Sequence, residues 1–112
     1  MTDIWTAQYR YSGPDRLDIT VKGNHPIGRI FAPTWKMVMD YKNGKGGEQA
    51  YIEAYRTLLN DRFTEMIGSL TWLFQQDEVT FVCFCSPGAF CHRVLLAKDI
   101  LKDVVIYKGE RR

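Results

Sequence analysis

The stretch Val79-Thr80-Phe81-Val82-Cys83-Phe84-Cys85 is an unbroken apolar run, and Ser86-Pro87-Gly88 follows it at once. A short run rich in β-branched and aromatic residues, closed by Pro and Gly, predicts a buried central strand. Cys91-His92-Arg93 comes next, and Val94 to Leu101 has the aliphatic spacing of a helix packed back on that strand. A strand that runs through a short loop into a helix builds an anion site. The first N–H groups of the helix are unpaired, and its dipole adds about half a positive charge there.

Outward from this block, Ile4 to Tyr11 predicts a first strand, closed by Ser12-Gly13-Pro14. Arg16 to Val21 predicts a second, with Leu17, Ile19 and Val21 alternating against Arg16, Asp18 and Thr20. Gly23, Pro26, Gly28 and Pro33 keep Lys22 to Pro33 irregular, and a loop of that length in a small domain points to function. A helix is expected from Pro33-Thr34 to Tyr41, ended by Asn43-Gly44, with Lys45-Gly46-Gly47 as a hinge. A long helix follows from Glu48 towards Gln75. Its apolar face is Ile52, Tyr55, Leu59, Phe63, Met66, Leu70 and Leu73, with Asn60-Asp61 and Gly68 as points of bending or interruption. Val104 to Tyr107 closes as a last strand. Strand, helix, strand at this spacing is the right-handed crossover of a parallel sheet. The expected fold is a single small α/β domain over 1–112, core roughly 4–107, its mainly parallel sheet flanked by helices.

The chain has 112 residues, 46% hydrophobic and 25% charged, which suits one soluble domain with its own core. A net charge of +2 marks neither a nucleic-acid nor a membrane surface. The basic end, Lys108 to Arg112, reads as a frayed solubilising tail. No stretch approaches the ~20 apolar residues of a membrane span, and Met1-Thr2-Asp3 opens no secretory signal. Three cysteines crowded between Cys83 and Cys91 make no disulfide framework, so reduced thiols in the cytoplasm are expected.

The segment from Cys83 through Cys91-His92-Arg93 to Ala97 resembles the C-terminal signature of the domain-of-unknown-function 488 (DUF488) family. That signature is an apolar strand, a Cys, a short Pro/Gly loop, Cys-His-Arg and an aliphatic helix. Phe31-Ala32-Pro33-Thr34-Trp35 resembles the family's Ala-Pro-Ser block, and Glu48 to Tyr55 its Glu-x-x-Tyr-x-x-x-Tyr helix. The resemblance spans roughly Asp18 to Leu101 and implies an α/β fold with a family-type pocket. Where longer members carry an arginine after an early strand, this chain has Lys22, with Arg29 also able to supply the charge.

The residue types suggest roles. Cys85, at the strand end, is the candidate nucleophile, since a helix N-terminus and cationic neighbours lower a thiol pKa. His92 is the candidate general acid or base, kept neutral by the same dipole. Arg93 offers a planar two-pronged donor to an anion, or an ion pair to Asp18 or another carboxylate. Cys91 is a resolving thiol, a ligand contact or packing, and Cys83 is core. The expected ligand contacts are Lys22, Pro26, Arg29, Trp35, Ser86, Gly88, Cys91 and Arg93. No cofactor is expected. For metal, the Cys/His spacing fits no standard knuckle, and two strand and two helix ligands converge poorly. Arg93 lies eight residues beyond Cys85, so the Cys-x5-Arg loop of cysteine phosphatases is absent. These residues point to a phosphate-bearing small molecule, a nucleotide or nucleoside derivative, with possible thiol-dependent transfer or hydrolysis. The alternative is a non-catalytic regulatory or nucleotide-sequestering module acting on a partner protein. Nucleic acid and membrane are disfavoured as partners, because acidic residues interleave the basic ones.

Overall fold

The computed structural model describes residues 1–85 and 89–111. Ser86, Pro87, Gly88 and Arg112 lie outside the described residues, and with them the ligand roles read for Ser86 and Gly88. Four strands form one sheet: β1 (Asp3–Gln8), β2 (Arg16–Asp18), β3 (Glu78–Cys83) and β4 (Ile106–Glu110). Their order is β2-β3-β1-β4 and every pair is parallel. The helices are α1 (Trp35–Lys42), α2 (Gly47–Asp61), α3 (Phe63–Phe74) and α4 (His92–Val94), the last running into a π-helical stretch, Leu95–Ile100. The α/β class and the parallel sheet are as expected from the sequence.

Alternation along the strands decides where the helices go. Ile4, Leu17, Val79 and Phe81 share one face. They join one apolar core with Met37 of α1, Tyr51, Tyr55 and Leu59 of α2, Met66 and Leu73 of α3, and Leu95, Leu96 and Ala97. The result is two layers, sheet and helices. The opposite face carries Trp5 and Thr80 side by side. Arg111 lies across it, 4.1 Å over the Trp5 ring, and donates to Thr80 Oγ1 at 3.0 Å.

That last contact corrects the reading of the C-terminal end. Lys108 to Glu110 belong to β4, Arg111 N donates to Thr6 O at 2.6 Å, and the segment is tied down through Arg111. The strand begins at Ile106 rather than Val104, because residues 101–104 form a turn. It also carries a bulge at Lys108, where the register slips between Ile4 and Trp5 and Gly109 adopts φ 124°.

The other differences have local causes. β2 stops at Asp18 because its carboxylate captures Thr20 N at 2.8 Å, an Asx turn that ends the ladder. β1 ends at Gln8, and β3 ends at Cys83 with Phe84–Cys85 in a bend. The long helix is two, interrupted at Arg62 directly after Asn60-Asp61, and it runs unbroken through Gly68. Arg62 Nη1 donates to the carbonyls of Ile30 (2.9 Å) and Ala32 (2.8 Å), pinning the loop before α1. That loop holds a 3-10 turn, Gly28–Phe31, seated so close to β2 that a Cβ on Gly28 would lie 2.0 Å from Asp18 O. His25 is half-buried, and its Nδ1 accepts from Ile27 N and Gly28 N. α1 opens as expected, with Thr34 Oγ1 accepting from Met37 N at 3.1 Å.

Tyr55 fixes this loop against the core. It is fully buried, and its hydroxyl donates to Phe31 O at 2.6 Å. Burial holds its phenol well above the ordinary range. Tyr55→Phe orphans that carbonyl, and is expected to cost about 1–2 kcal/mol. Urea unfolding checks this, as a lower midpoint with an unchanged slope.

Candidate functional site

A cavity of about 540 Å³ opens at the carboxyl ends of β2 and β3, where ligands collect in open parallel sheets. Thr20, Val21 and Lys22 line one side, directly after β2. Trp35, Val38, Tyr41 and Lys42 come from α1 and Tyr51 from α2. Cys83, Phe84, Cys85, Phe90, Cys91 and His92 close the floor and far wall. Phe90 packs against the rings of Tyr41 (5.1 Å) and Tyr51 (5.3 Å), so the wall is largely aromatic. Among the described residues the lining contains no Asp or Glu, and neither Lys22 nor Lys42 makes an ion pair. Lys22 Nζ stands 5.8 Å from the Trp35 ring centroid, a cation over an aromatic face at the rim. Thr20 Oγ1 is buried without a hydrogen-bond partner.

The floor is a cluster of sulfur. The Sγ atoms of Cys83, Cys85 and Cys91 all lie within 4.8 Å of one another, and all three are free thiols. Poor convergence was expected of them, yet the end of β3 and the start of α4 bring the three together. They could offer three donors to a thiophilic cation, but His92 stands outside the group. Charge compensation comes instead from Arg93. Its guanidinium is buried behind the cavity floor, and Nη1 donates to Cys83 Sγ and to Cys85 O, each at 2.9 Å. Nε and Nη2 grip both carboxylate oxygens of Glu110 on β4, at 3.3 and 2.5 Å.

These contacts decide which sulfur carries charge. Hydrogen bonds from Cys85 and then Cys91 hold the Cys83 thiol far below the ordinary range. His92 and Arg93 add to this, and together they outweigh the opposing effect of burial. By donating to Cys83, Cys85 and Cys91 have their own thiols pushed up. The cluster titrates as a unit, and the Arg93 guanidinium on Cys83 Sγ favours charge there. Cys83 therefore stands beside Cys85, which is half-buried, as a candidate nucleophile.

His92 is buried, and its Nε2 pairs with Ile19 O at 2.7 Å. A carbonyl only accepts, so that nitrogen carries the proton and Nδ1 is bare, 3.7 Å from Cys91 Sγ. Burial lowers the His92 pKa against the opposing pull of Cys83. Unfolding exposes a ring that takes up a proton near pH ~6.5 while the folded ring stays neutral, so stability falls as pH drops below that value. His92→Gln keeps a donor for Ile19 O and removes this linkage. The wild type is expected to lose up to about 2 kcal/mol more than the variant between about pH 7 and 5. Denaturant melts across that range check it.

Of the residues expected at the site, the cavity gathers Lys22, Trp35, Cys85, Cys91 and His92. Arg93 is adjacent but turned to Glu110 and sulfur, so its ion-pair role is filled by Glu110 rather than Asp18. Pro26 and Arg29 are exposed and absent from the described lining; the Arg29 carbonyl faces Arg62. Residues not singled out for this site from the sequence are Lys42, Phe84 and Glu110. Only Lys42 had a signal, as a cation in the last turn of a helix.

With the Cys-x-Cys strand end, the Cys-His-Arg helix start and the α1–α2 cover in one place, comparison with known families is informative. The family model described as "Active DUF488-N3 subclade" (DUF488-N3a) matches residues 2–104. This chain belongs to the DUF488 family. No curated protein and no solved structure matches it. Among the described residues of this DUF488 member, no helix is long and apolar enough to cross a membrane.

Proposed function

We propose that the cavity binds a phosphate-bearing aromatic small molecule, a nucleotide or nucleoside derivative, and that Cys83 performs thiol-dependent group transfer or hydrolysis on it. The observation that carries this reading is the lining itself: among the described residues, two unpaired lysines and five aromatic rings without a carboxylate, above a sulfur on which Arg93 Nη1 donates at 2.9 Å. Lys22 and Lys42 hold the phosphate as point charges, and Trp35 and Phe84 offer faces to a planar ring. Thr20 Oγ1 gains the partner it lacks. Cys83 Sγ attacks the electrophilic atom, the bond to the leaving group breaks, and water or an acceptor then releases the sulfur. Arg93 keeps the sulfur charged and does not touch the ligand. Three free thiols suit a reducing compartment, and the cytoplasm fits that.

Thermal shift with nucleoside phosphates tests the binding half. A ligand at 100 times its Kd adds about 2.7 kcal/mol. Lys22→Ala with Lys42→Ala is expected to weaken that ligand at least about tenfold, a loss of ~1.4 kcal/mol. If no phosphate compound shifts the wild type, the reading fails. Binding without turnover would leave a sequestering module.

A further inference from the structure

The sulfur cluster holds more thiols than a single-nucleophile reaction uses, and they are placed unequally. All three Sγ atoms lie within 4.8 Å, beyond the ~2.05 Å of a disulfide but close enough for one side-chain movement to join two of them. Cys83 is the sulfur that Arg93 touches. Among the described residues, Cys91 alone has a base beside it: His92 Nδ1, unprotonated because Nε2–H is committed to Ile19 O, sits 3.7 Å from its sulfur. Arg93 Nη1 also lies 3.9 Å from Cys91 Sγ, placed to stabilise charge developing there. Cys85 has only its backbone carbonyl on that guanidinium.

We propose that Cys83 and Cys91 form an oxidative modification site, in which hydrogen peroxide oxidises the Cys83 sulfur and Cys91 closes it as a reversible Cys83–Cys91 disulfide with His92 as the base. The inference rests on the reading that Cys83 carries the thiolate, and adds a second fate for it. In the first step the Cys83 sulfur attacks one peroxide oxygen. The O–O bond breaks, hydroxide leaves, and Cys83 becomes a sulfenic acid, oxidised by two electrons while the peroxide is reduced. In the second, Cys91 gives its proton to His92 Nδ1 and attacks the Cys83 sulfur. The S–S bond forms, the S–O bond breaks, and the departing hydroxide takes the His92 proton as water. The disulfide removes the charged sulfur from the cavity floor and shields it from irreversible oxidation. A dithiol reductant restores it.

The test treats the full chain with hydrogen peroxide, alkylates residual thiols, and digests with chymotrypsin. Cleavage after Phe84 and Phe90 leaves each cysteine on its own peptide. In the wild type, the Cys83 and Cys91 peptides are expected joined, with a loss of two hydrogens that dithiothreitol reverses. Cys85→Ser keeps that product. Cys91→Ser lowers the disulfide yield at least tenfold and accumulates sulfinic acid on Cys83. A wild-type product joined through Cys85, or overoxidation of Cys83 without any cross-link, overturns the inference. That mapping needs no variant to fold. If alkylation of Cys83 at low pH survives while no disulfide forms, this inference alone fails. If that alkylation is also absent, the reading beneath it fails too.

Discussion

Arg93→Met is expected to be the most damaging single substitution in the chain. It leaves the shape of the core nearly filled but deletes the polar link from the end of β3 to Glu110 of β4. Glu110 keeps only the Thr6 hydroxyl as donor, Cys83 Sγ loses its cation, and Cys85 O is orphaned. Breaking a buried ion pair from one side costs about 3–5 kcal/mol. Glu110 keeps some exposure, so the lower end applies, about 3 kcal/mol. For a domain of this size that is a fall of roughly 10 °C in Tm. A second effect separates this variant from a plain packing defect. With the guanidinium gone, the Cys83 thiol loses one of the groups that lower it and moves up, and alkylation at acidic pH slows. Arg93→Lys retains a charge without the fork and falls between the two. Thermal melts and alkylation rates on the same samples read both effects.

Cys83→Ser is expected to have the largest effect on reactivity. At about pH 6 the wild type presents one ionised sulfur, and the ordinary thiols that remain in the variant are ionised to less than about one part in a hundred. Loss of Cys83 therefore slows iodoacetamide alkylation at that pH by about 100-fold. Cys85→Ser has a smaller effect, because Cys91 and Arg93 still hold the charge on Cys83. A serine fits the space, so the fold is expected to survive, and circular dichroism checks it.

The sheet was legible because its apolar runs are unambiguous. Val79 to Cys83 could only be a buried strand, and a crossover helix after it makes the sheet parallel. Boundaries were less legible wherever one side chain captured a backbone group, as Asp18 does at Thr20 N. The break between α2 and α3 falls directly after Asn60-Asp61, where the sequence offered an interruption, and not at Gly68. Its reason lies in carbonyls about thirty residues upstream. The site was half legible. Cys, Cys-His-Arg and Lys22 announced themselves as chemistry. The roles of the three sulfurs did not, because strand alternation gives no hint that Arg93 selects Cys83. Glu110 was hidden in a basic C-terminal end whose composition looked like a tail, and its purpose depends on β4 lying next to β1 at the seam.

Both proposals depend on Cys83 carrying a negative charge at neutral pH within the lysine-bearing cavity. The direct measurement is the pH dependence of iodoacetamide alkylation in the folded wild type, with the modified cysteine located by chymotryptic mapping. The account predicts label on Cys83 at a rate nearly flat from about pH 6 to 9. A rate climbing tenfold per pH unit towards ~8.5, or label landing first on Cys85 or Cys91, would contradict it.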